Sequence, residues 1–255
     1  MNRMLVLGTE IDRISFREAI ELALNCMEHR RGEYVVTPNS EIVLLAGKER
    51  ELRAAISGAV LSLPDSVGVD LACRILGTPV EERIPGIDFA SALLEQMAKR
   101  EKSVYFLGAK EGVAARAAAA LLKSFPGIVI AGTENGYFMP SDEEELIGRI
   151  NTASPDLLLV CLGAPKQELW MYHNASRLQV GLMAGLGGAL DAFSGDVPRA
   201  PIRWRKSGFE WLFRLIHEPE RIFRMLKLPL IVFAAVWNRI KGEREKHGKG
   251  KADRS

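Results

Sequence analysis

Apolar and polar positions along this chain follow two periods that take turns. Short apolar runs, MLVLG, EYVVT, AVLSL, VYFLG, IVIAGTENG, LLLVCLG and VGLMAGLGGAL, read as strands, several of them apolar on both faces. Between them lie stretches with helical periodicity: Ser15 to about Arg30, SEIVLLAGKERELRAAIS, the end of PDSVGVDLACRILG, FASALLEQMAKRE, VAARAAAALLKSF, Ser141 to Ile150 and KQELWMYHNA. Ser15 with Glu18, and Ser141 with Glu144, have the spacing of a capping box. Alternating β and α units predict an α/β fold, a Rossmann-like, mostly parallel sheet flanked by helices. No solenoid-type repeat interrupts it.

Such sheets bind ligands beyond the carboxyl ends of their strands, so the strand-to-helix loops carry the candidate chemistry. These are Thr37-Pro38-Asn39, Pro64-Asp65-Ser66, Gly108-Ala109-Lys110, Asn135-Gly136-Tyr137, Gly163 to Gln167 and Gly185 to Asp191. Gly108, Gly136, Gly163, Lys166 and Gly187 are the substrate-binding candidates there. Asp65 ends a buried strand; it is either a general base facing a cleft or the cap of the next helix. Thr37 and Asn39 carry the same two readings, cap and turn residues or groups that orient a sugar. Gln167 lies just inside a helix N-terminus, where amides attract phosphate.

The end of the chain departs from this pattern. Phe209, Leu212, Phe213 and Ile216 mark one apolar helical face, and Arg214, His217, Arg221 and Arg224 a basic one, with Pro219 between two helical halves. An apolar run from Leu228 to Trp237 follows, flanked by Lys227 and Arg239. At ten residues it is too short to span a bilayer as a helix, which takes roughly 20. It suits the interface, or a core or dimer contact. Charge makes the break sharper. The 255 residues carry +2 overall, but residues 199–255 carry +9, leaving residues 1–198 at −7. The expected layout is an α/β core over 1–195, a basic, helical, membrane-associating appendage over 196–240 and a disordered charged tail over 241–255. An anionic membrane surface is the expected partner, with self-association through the apolar tail a further expectation; nucleic acid is not expected.

Other chemistries find little support. GLGGALDAFSG offers Gly185 and Gly187, but the third fingerprint glycine is Leu190, and the motif comes late in the chain. No Walker A pattern or G-x-S-x-G elbow occurs. Cys26, Cys73 and Cys161 are far apart and form no CxxC pair, and the four histidines lack HExxH spacing. No metal site or cofactor is expected. Asp142 to Glu145 read as a helix first turn, where carboxylates offset the dipole. No Asp-x-Asp clamp for a sugar diphosphate is present, so the tail arginines are candidates for neutralising one. No secretory signal or spanning segment is apparent, which fits a cytoplasmic protein held peripherally at the inner membrane face.

Four strings, TPNSEIV, LPDSVGVD, RIPGIDF and LGAPKQELW, with GGALDAFSGDVPRAP and GFEWLFRLIHEPER, resemble the TagA/WecG/CpsF family of bacterial glycosyltransferases, closest to its TagA branch. The resemblance covers about residues 5–225. It implies metal-independent, inverting transfer of N-acetylmannosamine from UDP-N-acetylmannosamine to undecaprenyl-diphosphate-linked N-acetylglucosamine, giving the linkage disaccharide of wall teichoic acid. It casts Asp65 as the base and Thr37 and Asn39 as holders of sugar hydroxyls. Arg83 would meet an acceptor phosphate and Asp88 a sugar. Gln167, Tyr137 and Asp191 would surround UDP, and Arg214, Arg221 and Arg224 would close on the leaving diphosphate. A uronic-acid donor, and a soluble UDP-sugar epimerase, are the alternatives.

Overall fold

The computed structural model describes residues 2–29, 32–197, 201, 216 and 226–252. The first strands, β1 (Arg3–Val6) and β2 (Thr9–Asp12), form an antiparallel hairpin of their own. Six strands then build one parallel sheet: β3 (Tyr34–Val36), β4 (Leu61–Ser62), β5 (Ser103–Gly108), β6 (Val129–Glu134), β7 (Leu157–Cys161) and β8 (Leu182–Gly185), in the order β4-β3-β8-β7-β5-β6. The unbroken apolar run of β7 fits its central place, since a parallel strand there is covered on both faces. The Rossmann-like α/β expectation therefore holds.

Side chains alternate between two cores. Val104, Phe106, Leu157 and Leu159 point to one face, covered by α1 (Phe16–His29), α5 (Gly86–Ala98), α6 (Val113–Ser124) and α9 (Ala189–Ser194). Tyr105, Leu107, Leu158 and Val160 point to the other, under α2 (Ser40–Ala46), α3 (Arg50–Gly58), α7 (Glu143–Ala153) and α8 (Lys166–Asn174). This is the period of two expected of strands. A third cluster lies off the β4 edge. There the hairpin, α2 and α4 (Val67–Ile75) meet a C-terminal helix, α10 (Lys227–Ala252).

Several local expectations change. MLVLG does not join the parallel sheet; its hairpin covers the β4 edge instead, with Asp12 accepting from the Ser62 amide at 2.7 Å and Ser62 Oγ donating to the Glu10 carbonyl at 2.7 Å. Arg3 pairs with buried Asp12 at 3.0 Å and donates to the Ser57 carbonyl at 2.8 Å, tying the hairpin to the end of α3. The long helix read from Ser40 is two helices, α2 and α3, parted at Gly47 to Glu49. Ser15 and Glu18 do form their capping box, at 3.0 and 3.3 Å. Ser141 and Glu144 do not. A 3-10 turn over Pro140–Asp142 precedes α7, and Asp142 instead accepts from the Met139 amide at 3.2 Å. The rest of the acidic run is spent on ion pairs and a side-chain hydrogen bond: Glu145 with Arg149, Glu144 with Arg177, and Glu143 accepting from Asn174 Nδ2.

The apolar run of the tail divides between two roles. Ile231 and Ala235 are fully buried in the third cluster, whereas Leu230, Phe233 and Trp237 are exposed, the last two with rings stacked at 6.5 Å. The core reading thus describes one face of this helix, and the other face is exposed. Helix α10 also continues past residue 240, where composition placed the start of a disordered tail. Among the described residues, no helix is long and apolar enough to cross a membrane.

Candidate active site

The chain leaves β5 for β6 on one side and leaves β7 for β8 on the other. Their loops part over neighbouring strands, which makes β5/β7 a topological switch point, where open α/β sheets form a crevice. Bare backbone lines it. A Cβ on Gly108, at φ 137°, would lie 2.3 Å from the Cys161 carbonyl oxygen. One on Gly136 would lie 3.3 Å from the Gly108 Cα and 3.2 Å from Leu162. The Gly136 amide donates to the Ala109 carbonyl at 2.9 Å. Lys166 then clamps the loop after β6. Its Nζ donates to the Gly136 carbonyl at 3.2 Å and sits 4.9 Å above the Phe138 ring. Tyr137, 76% exposed, stands beside this clamp. Gly163, also at positive φ, has no neighbour where a Cβ would go. Gly108→Ala is therefore expected to cost more than about 3 kcal/mol of stability, through backbone collision and a disfavoured φ. Gly163→Ala should cost only about 1–2 kcal/mol, from φ alone. Denaturant melts of the two variants would check this, and equal losses would refute it.

The glycine-rich turn after β8 is held from below. Gln167 is 2% exposed; its Oε1 accepts from the Gly187 amide at 2.9 Å and its Nε2 donates to Glu168 Oε1 at 2.8 Å. The side chain expected to meet UDP is thus buried, and it fixes the glycine-rich turn. Gly185 has the same tightness: a Cβ would meet Met171 at 2.6 Å. Asp191 is half-buried in the first turn of α9, near Cys161. Burial first, with Asp191 adding, pushes the Cys161 thiol up to about 12, and burial also raises Cys26 and Cys73 to about 11. These thiols are poor nucleophiles.

Glu168 escaped the sequence reading, because a charged residue in KQELW reads as surface. It is fully buried, and desolvation pushes its carboxyl up to about 7 despite the Gln167 hydrogen bond. The unfolded chain releases this proton near 4.5, the folded chain near 7, so stability falls as pH rises across that window. The total loss is on the order of 3 kcal/mol. Glu168→Gln keeps an acceptor for Gln167 and removes the titration. Its Tm, relative to wild type, should rise between pH 5 and pH 8; parallel pH profiles would refute this assignment.

A second cluster forms at the ends of β3, β4 and β8. Thr37 is 8% exposed and its Oγ1 donates to the Gly185 carbonyl at 3.1 Å. Asn39 caps α2, its Oδ1 accepting from Glu41 and Ile42 amides at 2.9 and 3.1 Å, so a ligand would meet its Nδ2. Asp65 does cap a helix, but not the next one. Ser66 caps α4 through the Val69 amide, while Asp65 Oδ1 accepts from Gly86, the first residue of α5, at 2.6 Å. Arg83 donates to the Asp65 carbonyl at 3.3 Å, and Asp88 lies half-buried in the first turn of α5. A Cβ on Gly86 would stand 3.4 Å from Thr37 Oγ1 and 3.1 Å from Leu186, so Thr37, Asp65 and the glycine-rich turn converge. Gln167, next to Lys166 and bonded to Gly187, links this cluster to the crevice. Arg214, Arg221 and Arg224 lie outside the described residues. Among the described residues, no group of three or more His, Cys, Asp or Glu side chains is placed to hold a metal ion.

The carboxyl end of the sheet thus gathers a carboxylate–hydroxyl–amide cluster and a glycine-rich switch point, the layout of an open α/β enzyme. Its family follows from comparison. The chain belongs to the glycosyl transferase WecG/TagA/CpsF family, whose model matches residues 4–245, and is a glycosyltransferase. It is similar to the N-acetylglucosaminyldiphosphoundecaprenol N-acetyl-beta-D-mannosaminyltransferase of Bacillus spizizenii, 35% identical over 210 residues, 82% of this chain and 81% of the relative. The protein of the same name from Bacillus subtilis is 34% identical over 203 residues, covering 80% and 78%. That from Staphylococcus aureus is 30% identical over 230 residues, covering 89% and 90%.

Proposed function

We propose that this glycosyltransferase moves N-acetylmannosamine from UDP-N-acetylmannosamine to N-acetylglucosamine on undecaprenyl diphosphate, with inversion and without a metal ion. The activity named for its relatives supports the acceptor and the transferred sugar. The observation that carries the site is Asp65: a half-buried carboxylate at a strand end, converging with Thr37 and the glycine-rich turn. In this reading Asp65 takes the proton from the acceptor hydroxyl as its oxygen attacks the anomeric carbon opposite UDP. The diphosphate of UDP lies in the crevice, where Gly108, Gly136, Gly163 and Gly187, lacking side chains, let it come close to the backbone. The exposed face of α10, with Phe233 and Trp237, rests on an anionic membrane surface at the inner face, where the lipid acceptor is anchored. The product is the linkage disaccharide of wall teichoic acid.

The test is UDP release from UDP-N-acetylmannosamine with and without a short-chain lipid-diphosphate N-acetylglucosamine. Release that requires the acceptor, with the anomeric configuration inverted in the product and chelator without effect, is the expected result. Release without acceptor would instead favour a hydrolase or epimerase. No release with this donor, but release with UDP-N-acetylmannosaminuronic acid, would correct the donor.

A further inference from the structure

Helix α10 touches the two helices whose N-termini carry the second cluster. Gly68 is the second residue of α4. A Cβ there would lie 2.1 Å from Ser40 Oγ, at the start of α2, and 3.2 Å from Ile231 Cγ2 of α10. Ser40 and Ser66 bring their hydroxyls to 3.2 Å of each other. Ser40 directly follows Asn39, and Ser66 directly follows Asp65. The two helix starts are therefore pressed together at a glycine, and Ile231, fully buried, closes the contact.

The grip extends along α4. Ala235, one turn after Ile231, is also fully buried, and one turn further Arg239 Nη1 donates to the Ile75 carbonyl at the far end of α4, at 2.8 Å. Eight residues of α10 rise about 12 Å, close to the length of α4 itself. Helix α4 thus cannot shift along its axis without breaking contact at one end. It joins the Asp65 loop to the segment bearing Arg83 and Gly86, so its axis sets both.

We propose that Ile231 is a positioning residue for the transfer reaction: through Gly68 and the Ser40–Ser66 pair it fixes the loops that hold Asn39 and Asp65. The inference rests on the reading of Asp65 as the base. It gives the two faces of one helix separate duties, since the buried face tunes turnover while the exposed face meets lipid. Misplacement of a reacting group by about 1 Å can cost up to about a hundredfold in rate, so a wedge of this kind has leverage on kcat.

The experiment uses the full chain and a water-soluble short-chain lipid-diphosphate N-acetylglucosamine, with anionic phosphatidylglycerol vesicles in a separate sedimentation assay. Ile231→Ala is expected to lower kcat roughly tenfold, with KM for the UDP-sugar within about twofold and vesicle binding unchanged. Ile231→Val keeps the Cγ2 methyl that meets Gly68 and should restore most of the turnover. Gly68→Ala approaches the same contact from the other side and should also lower kcat, which keeps the inference testable if Ile231→Ala does not fold. Wild-type kcat in both Ile231→Ala and Gly68→Ala would overturn it, as would lost vesicle binding with turnover intact. An Asp65→Asn control separates the two readings. If that variant is inactive while the Ile231 and Gly68 variants are normal, the positioning role falls and the base stands. If Asp65→Asn is active while Ile231→Ala is impaired, the base falls, and the route from Ile231 to Asp65 falls with it.

Discussion

Asp65→Asn is expected to lower kcat for acceptor-dependent transfer by roughly 10²–10⁴, the contribution of a positioned general base. The substitution isolates that role because of what Asp65 otherwise does. Its Oδ1 accepts from the Gly86 amide at 2.6 Å, and an asparagine oxygen can accept the same bond. The start of α5 should stay in place, and with it Thr37, Leu186 and the glycine-rich turn. Tm and the KM for UDP-sugar should change little. Asp65→Ala removes base and cap together, and should lose about 1 kcal/mol of stability in addition to the rate. The measurement is a full kcat and KM determination for both variants, with melting curves. A kcat within about fivefold of wild type in Asp65→Asn would leave this carboxylate a helix cap and nothing more.

The helix-capping role also shows why the sequence left Asp65 undecided. In LPDSVGVD a cap for the following helix and a catalytic carboxylate look the same. The structure separates the jobs by using Ser66 for α4 and sending Asp65 to α5, whose first residue lies 21 positions further along the chain. Such long-range pairings leave no local mark. The central strands were legible for the opposite reason, since LLLVC and VYFLG must be apolar on both faces wherever they sit in a parallel sheet. The hairpin was not: TEID offers one inward apolar residue, Ile11, too little to reveal a period.

Side chains behaved similarly. Gln167 and Glu168 are polar letters after a proline, and polarity predicts exposure; both are buried because one holds Gly187 and the other holds Gln167. The glycines of the loops were legible as places of close backbone approach. What they approach was visible only in three dimensions, where Gly108 abuts the Cys161 carbonyl and Gly136 abuts Gly108. In α10 the continuous apolar run concealed two faces, because its buried residues are spaced by four, Ile231 and Ala235, with equally apolar residues between them.

Truncation after Gly195 should abolish nearly all transfer, a loss of at least about a hundredfold in kcat, and the reason can be divided. Departure of UDP builds charge on a diphosphate, and the core displays no Asp-x-Asp clamp to receive it. Arg214, Arg221 and Arg224 are removed by the cut; by analogy with phosphoryl transfer, a single inserted arginine contributes roughly 10³–10⁵. The cut also removes Ile231 and Ala235 from the third cluster, uncovering Val43, Val69 and Ala72. The truncated protein should therefore melt at lower temperature as well as turn over slowly. A full-length protein with all three arginines changed to alanine separates the effects. If the arginines stabilise the leaving group, that protein loses most of its kcat on a soluble acceptor and keeps the wild-type Tm. If the loss comes from undocking α10, the triple variant keeps its kcat and only the truncation is impaired. Full turnover in the truncated protein would show that the α/β core holds all the chemistry, and would remove the tail from the reaction altogether.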